Sequence, residues 1–292
     1  MLPKEILAQV RRIEIRTGRL VQDVFAGKYL SVFKGRGMEF SQVREYAPGD
    51  DIRTIDWNVS ARYSRPFVRQ YQEERELTLL VACDLSGSQF FGSGRRLKRE
   101  VAAELCAVLA FSALKNNDKI GLFLFSEGRE LFIPPRKGRL HVLKIIRDVL
   151  VYAPERRKTD IAASLDVLNR MLRRRSILML VSDFQDQGFE RVLRRTARKH
   201  DLIPVVIEDP RESALPALPA WLDLQDPETV ERSLIRPTQS LREELRRRRA
   251  AASGRLAEIF RSAQVDPIRV RTDEPYVEPI VRYFQERARR FR

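Results

Sequence analysis

Two kinds of hydrophobic spacing divide this 292-residue chain. From Leu77 onward, short unbroken apolar runs alternate with stretches whose apolar residues recur every three or four positions. Unbroken runs read as strands buried on both faces, and the longer period as helices covering them. The predicted strands are Leu77–Cys83, Lys119–Phe125, Arg129–Ile133, Ile177–Val181 and Leu202–Ile207, with the second and third forming a hairpin. The predicted helices are Arg96–Lys115, Leu140–Leu150 and Ile161–Leu172, the first presenting Leu97, Val101, Leu105, Val108 and Leu109 on one face. Such alternation predicts an α/β fold built on a doubly wound, mostly parallel, Rossmann-like sheet.

The remaining chain follows other patterns. Ile6, Val10, Ile13, Leu20 and Val21 give residues 1–26 a helical period. Gly, aromatic and charged residues dominate from Gly27 to Arg75, with Gly35-Arg36-Gly37 and Pro48-Gly49-Asp50 as turn signals. Short strands are expected there, Phe67–Tyr71 among them. Asp209–Ala220 is rich in Pro and Ala and reads as a connector. Ser240-Leu241-Arg242-Glu243 has the form of a capping box opening a helix to about Arg261. Ile268–Arg271 reads as a last strand and Pro275–Arg290 as a last helix, with Tyr276, Ile280, Val281 and Phe284 facing inward. The division is an N-terminal extension over 1–76 and an α/β domain over 77–292, with an elaboration inserted at about 209–262.

Two strand ends carry the candidate chemistry. The run Leu79–Cys83 ends in Asp84, and Ser86 and Ser88 follow at alternate positions. Ser176–Val181 ends in Ser182-Asp183, and Lys158-Thr159-Asp160 precedes the helix opening at Ile161. Loops at the carboxyl ends of parallel strands converge on one crevice, so Asp84, Ser86, Ser88, Thr159 and Asp183 are expected to meet. An all-oxygen set suits a hard divalent cation, Mg²⁺ first and Mn²⁺ or Ca²⁺ next. As helix caps and a loop acid, the same residues would be purely structural.

Asp-x-Ser-x-Ser, then Thr, then Asp resembles the metal-ion-dependent adhesion site of von Willebrand factor A domains. The segment Glu45-Tyr46-Ala47-Pro48-Gly49-Asp50-Asp51-Ile52-Arg53-Thr54-Ile55-Asp56-Trp57-Asn58 resembles the signature of the bacterial domain-of-unknown-function 58 family, whose members place it before an A-type domain. The match covers residues from about 25 to at least 208. In the resembled site the serine and often the threonine hydroxyls touch the metal, and the Asp carboxylates act largely through water. The resemblance implies a metal-bridged protein contact in which an acidic client supplies the outside carboxylate. It also implies a MoxR-type AAA+ ATPase as partner. Asp50, Asp51, Asp56 and Trp57 are candidates for partner docking; the preferred reading is that the acids serve turns and local hydrogen bonds and Trp57 packs.

Composition narrows the alternatives. Fifty-five Lys and Arg against 40 Asp and Glu leave a formal charge of +15, concentrated in Arg173–Arg175 and Arg246–Arg249. Interleaved acids make these runs solvated helix faces, and specific nucleic-acid binding is not expected. A basic scaffold or nucleic-acid-associated protein with a structural metal site is the alternative function. Cys83 and Cys106 are expected as buried free thiols, and with only His141 and His200 beside them a zinc site has no support. A haloacid-dehalogenase phosphatase needs a second Asp two residues after the first, where Ser86 stands. A serine hydroxyl cannot replace a carboxyl in proton transfer at neutral pH. Neither a P-loop nor a Gly-x-Ser-x-Gly elbow occurs, so catalysis is not expected. No apolar run nears the ~20 residues of a bilayer span, and Met1-Leu2-Pro3-Lys4-Glu5 does not open a secretory signal. A cytoplasmic location is therefore expected.

Overall fold

The computed structural model describes Arg11 and residues 39–72, 77–94, 96–213, 215–217 and 220–290. The helix read over 1–26 and the Gly35-Arg36-Gly37 turn lie outside the described residues, Arg11 excepted. The chain divides into two compact units, one spanning 33–76 and the other containing 77–292.

In the smaller unit, β1 (Glu39–Glu45) pairs antiparallel with β2 (Phe67–Gln72). Between them run a 3₁₀ turn (Ile52–Thr54) and helix α1 (Trp57–Tyr63). The acids of the signature segment serve this local structure. Asp50 forms a two-pronged pair with Arg44 at 2.7 and 2.8 Å, and its carboxyl is held below the usual range by that guanidinium and by the Ala47 amide. Asp51 caps the 3₁₀ turn by accepting from Arg53 N at 3.0 Å. Asp56 caps α1, accepting from the amides of Asn58 and Val59 at 3.0 and 3.2 Å. The packing expectation for Trp57 is corrected: its side chain is 69% exposed, because the first turn of so short a helix turns it to solvent.

The larger unit is a mixed α/β fold around a six-stranded sheet. Its strands are β3 (Thr78–Asp84), β4 (Lys119–Phe125), β5 (Arg129–Arg136), β6 (Ile177–Ser182), β7 (Asp201–Glu208) and β10 (Ile268–Arg271). They lie in the order β10-β7-β6-β3-β4-β5, parallel throughout except for β5 against β4. The chain leaves β3 towards β4 on one side and returns to β6 on the other, which makes the β3–β6 boundary the topological switch point. Leu79–Cys83 are 0–1% exposed, as the unbroken apolar run requires of a strand covered on both faces. Pro134 and Pro135 fit β5 because it is an edge strand, where a missing N–H leaves no ladder bond unmade.

Helices α2 (Lys98–Lys115), α3 (Arg139–Val151), α4 (Ile161–Met171) and α5 (Glu190–Lys199) link the parallel strands. The single apolar face expected of α2 is too narrow. Ala102, Ala103, Cys106, Ala107, Ala110, Phe111 and Ala113 are also buried, so most of the helix circumference is covered and Arg99, Glu100 and Glu104 are half-buried. Leu165, Leu168, Leu180, Phe184, Phe189 and Phe260 share one buried cluster with Leu80, Ala82 and Phe123. Beyond β7 come the short helix α6 (Pro210–Ser213), the hairpin β8 (Leu222–Gln225) and β9 (Arg232–Ile235), then α7 (Gln239–Ser262) and α8 (Val277–Arg290). The β8–β9 hairpin was not legible in the sequence. The expected box at Ser240 is replaced by Thr238, whose hydroxyl accepts from Leu241 N at 3.3 Å. On α8, Ile280 and Phe284 are buried with Tyr276 just ahead of the helix, while Val281 is half-buried. Among the described residues, no helix is long and apolar enough to cross a membrane.

Gly121 marks where β4 meets a register shift in β5. A Cβ there would lie 2.8 Å from the Ile133 carbonyl oxygen and 2.9 Å from Pro135 N, both backbone atoms. Gly121→Ala is therefore expected to destabilise the fold by about 1–3 kcal/mol. Gly128→Ala, where a Cβ meets nothing within 4 Å, should be near neutral. Urea unfolding midpoints measure both; equal midpoints for the two variants would contradict the packing described.

Candidate metal centre

Asp84 is the last residue of β3, and Ser182 closes its neighbour β6. The parallel register brings the two ends side by side, and Ser182 Oγ donates to Asp84 Oδ2 at 2.6 Å. Asp84 Oδ1 accepts from the Ser86 amide at 2.9 Å, which folds the loop back over the strand end. The loop then tightens into a 3₁₀ turn (Gly87–Phe90). Ser86 and Ser88 consequently project together, with their Oγ atoms 3.1 Å apart. Both serines and Asp84 are buried.

The other two candidates arrive on neighbouring loops. Gly87 N donates to Arg157 O at 2.7 Å, and Asp160 N to Ser126 O at 3.0 Å, which ties the Thr159 loop between the ends of β3 and β4. Asp160 caps α4 by accepting from Ala163 N at 2.7 Å, leaving Thr159 just ahead of the helix. Thr159 Oγ1 donates to Glu228 Oε1 at 2.9 Å, a partner supplied by the β8–β9 hairpin. Asp183 follows Ser182 directly. Its Oδ2 accepts from Lys98 Nζ at 2.6 Å and its Oδ1 from Gln185 N at 3.2 Å.

Lys98 is the largest departure from expectation. It lies in the first turn of α2, its side chain is 0% exposed, and it also pairs with Glu212 on α6. Burial pulls the ammonium's pKa down, yet Asp183 and Glu212 more than offset this and leave it raised. Glu212 in turn pairs with Arg249 of α7 at 3.1 Å and accepts from Gln185 Nε2 at 3.0 Å. A signal for Lys98 was available: it stands three and four residues before Val101 and Ala102, on a buried face. Ser182 was also readable, as a hydroxyl closing an apolar strand. For Glu228 and Glu212 there was none, because neither belongs to a periodic segment.

The electrostatics of the two halves differ. Asp183 has Lys98 beside it, whereas no cation among the described residues pairs with Asp84. Burial first, and then the negative charge of Asp183, push the Asp84 carboxyl up to about 7, against the hydrogen bonds from Ser182 and Ser86. A buried carboxylate so placed favours an added cation.

The donor set fits one. At metal–oxygen distances of about 2.0–2.1 Å, adjacent oxygens of an octahedron are about 3 Å apart, and the serine hydroxyls stand at 3.1 Å. Hydroxyls and carboxylates select a hard ion such as Mg²⁺. Among the described residues no three His, Cys, Asp or Glu side chains are grouped as they are in zinc or all-carboxylate sites. Cys83 and Cys106 are buried free thiols. Of the sequence candidates, Asp84, Ser86, Ser88 and Asp183 share one strand-end crevice, with the Thr159 loop tied to it. Asp50, Asp51, Asp56 and Trp57 belong to the other unit.

A family profile described as "Protein of unknown function DUF58" matches residues 42–255. An uncharacterized protein of Mycobacterium tuberculosis strain H37Rv is 31% identical over 290 residues, covering 98% of this chain and 90% of that protein. The uncharacterized protein YeaD of Bacillus subtilis is 27% identical over 111 residues, 38% of this chain and 26% of YeaD. Among solved structures, the chain is similar to the conserved hypothetical protein BatB from Bacteroides thetaiotaomicron, at 13% identity and a TM-score of 0.48. That likeness covers 73% of this chain and 99% of BatB.

Asp84→Asn keeps the side chain's shape and removes its charge. In EDTA the variant should melt no lower than wild type, since an unpaired buried charge is lost. Mg²⁺ at a hundredfold excess over Kd should stabilise wild type by about 2.7 kcal/mol and leave the variant unmoved. Equal Mg²⁺ responses in thermal unfolding would remove Asp84 from the site.

Proposed function

This chain belongs to the DUF58 family, and we propose that it is a non-catalytic, metal-dependent protein-interaction module. In this reading Asp84, Ser86, Ser88, Thr159 and Asp183 hold one Mg²⁺, with Mn²⁺ or Ca²⁺ as substitutes, in the manner of a von Willebrand factor A-type adhesion site. The observation that carries it is the hydroxyl pair of Ser86 and Ser88 beside a buried Asp84 with which no cation among the described residues pairs. The position at the sheet's switch point, between the carboxyl ends of β3 and β6, supports the same reading.

Each residue has a distinct task. Ser86 and Ser88 offer neutral oxygens, so little formal charge touches the ion. Asp84 is oriented by the Ser182 hydroxyl and the Ser86 amide and supplies the balancing negative charge. Lys98 partly neutralises Asp183, which leaves that carboxylate suited to water-mediated contact. A divalent cation held this way keeps Lewis acidity for one further carboxylate oxygen. We assign that oxygen to an acidic client protein, and place the chain in the cytoplasm as an adaptor between the client and a MoxR-type AAA+ ATPase. A basic surface of +15 adds long-range attraction for acidic partners.

Two measurements test the proposal. Capture of the purified ATPase or its client should need Mg²⁺, fall at least tenfold in EDTA, and fall similarly with Asp84→Asn. Capture that ignores both and declines only with salt would favour the basic-scaffold alternative. In parallel, no Mg²⁺-dependent turnover of phosphate esters, peptides or ATP above background is expected; turnover abolished by Asp84→Asn would make the protein an enzyme.

A further inference from the structure

We propose that Glu228, at the tip of the β8–β9 hairpin, is a built-in carboxylate ligand of the metal centre and competes with an outside carboxylate for it. The inference deepens the metal-site reading and rests on it.

Three observations meet at this residue. The first is contact between the hairpin tip and the metal loop. Gly87 lies between Ser86 and Ser88, and a Cβ built on it would fall 2.1 Å from the Pro227 carbonyl oxygen and 3.1 Å from Glu228 N. Only a glycine lets the tip sit this close, so the loop is shaped to receive it. The second is reach: the Glu228 carboxylate extends to Thr159 and accepts from its hydroxyl at 2.9 Å.

The third is charge. Burial first, and then the negative charges of Asp183, Asp226 and Asp186, push the pKa of the Glu228 carboxyl up, against the hydrogen bond from Thr159, and no cation among the described residues pairs with it. Half-buried among like charges and held by one neutral hydroxyl, an acid is poorly placed on its own. A divalent ion held beside Thr159 and Asp183 would offset that repulsion.

The hairpin is constructed to present this one side chain. Asp226 accepts from the amides of Glu228 and Thr229 at 2.8 and 3.0 Å, and Asp226 N bonds to Glu231 O at 2.8 Å, so the tip is a preformed turn. Its strands are only four residues each and mostly exposed, with Trp221 62% and Leu234 65% open to solvent. A short two-stranded ribbon adds little stability of its own. An outside carboxylate can therefore displace Glu228 without disturbing the sheet.

Mn²⁺ serves as the probe, in the full-length protein. Water-proton relaxivity reports how many water molecules touch the bound ion. Relative to wild type, Glu228→Gln is expected to gain the increment of one coordinated water and to bind Mn²⁺ about tenfold more weakly, one charged ligand having been lost. Acetate should then lower the relaxivity of Glu228→Gln and leave wild type unchanged. Glu228→Asp, which keeps the charge and shortens the reach by one methylene, should behave as Glu228→Gln does. Identical relaxivity and affinity in wild type and both variants would overturn the assignment of Glu228 while leaving the metal centre standing. Failure of wild type to bind Mn²⁺, or equal binding by Asp84→Asn, would instead remove the metal centre and this inference with it.

Discussion

Burying a carboxylate at the carboxyl end of a central parallel strand is the constraint around which the larger unit is organised. Asp84 is nearly inaccessible, and an ionised group there must find hydrogen bonds or a counter-charge. Two bonds are supplied, from Ser182 across the strand boundary and from the Ser86 amide within its own loop. Each has a structural consequence. The first joins β3 to β6 where the sheet reverses its winding. The second bends the loop so that the hydroxyls of Ser86 and Ser88 converge. Neither bond brings positive charge, and that deficit is what the proposed cation would make good.

Lys98 divides the acidic crevice into two parts with different properties. Its ammonium is wholly buried and paired with Asp183 and Glu212, and Glu212 carries the network on to Arg249 of α7. A buried ion pair of this kind adds little net stability, because desolvation offsets the attraction. What it does is fix relative positions: the start of α2, the end of β6, α6 and the long α7 are held to one another. Asp84 and Glu228 lie outside these ion pairs, and no cation among the described residues pairs with either.

The smaller unit uses its acids differently. Asp50, Asp51 and Asp56 each have nearby backbone or guanidinium partners, and these bonds close the turns and open α1. Their spacing along the signature segment is accounted for by turn and cap geometry. Trp57 and Tyr63 remain exposed on the short helix those caps create, at 69% and 67%. Tyr63 still packs its ring against Phe67 at 5.4 Å, so Trp57 is the large exposed aromatic that the signature segment itself presents.

The strand–helix alternation, the buried character of β3 and β6, the antiparallel β4–β5 pair and the limits of β10 were all legible in the sequence. Each depends on local periodicity, which a chain displays whatever surrounds it. The placement of Asp84 and Asp183 at neighbouring strand ends was legible for a related reason: a polar residue ending an apolar strand falls at the sheet's edge, where loops converge. Tertiary structure alone decided the rest. That α2 is buried over most of its circumference depends on which elements pack against it. Lys98 became the partner of Asp183 because α2 begins beside the end of β6, 85 residues away in the chain. Glu228 reached Thr159 across 69 residues, from a hairpin whose strands are too short and too exposed to leave a hydrophobic period. Periodicity records how each segment meets the core. The meeting of charges carried by separate segments is recorded only in the fold.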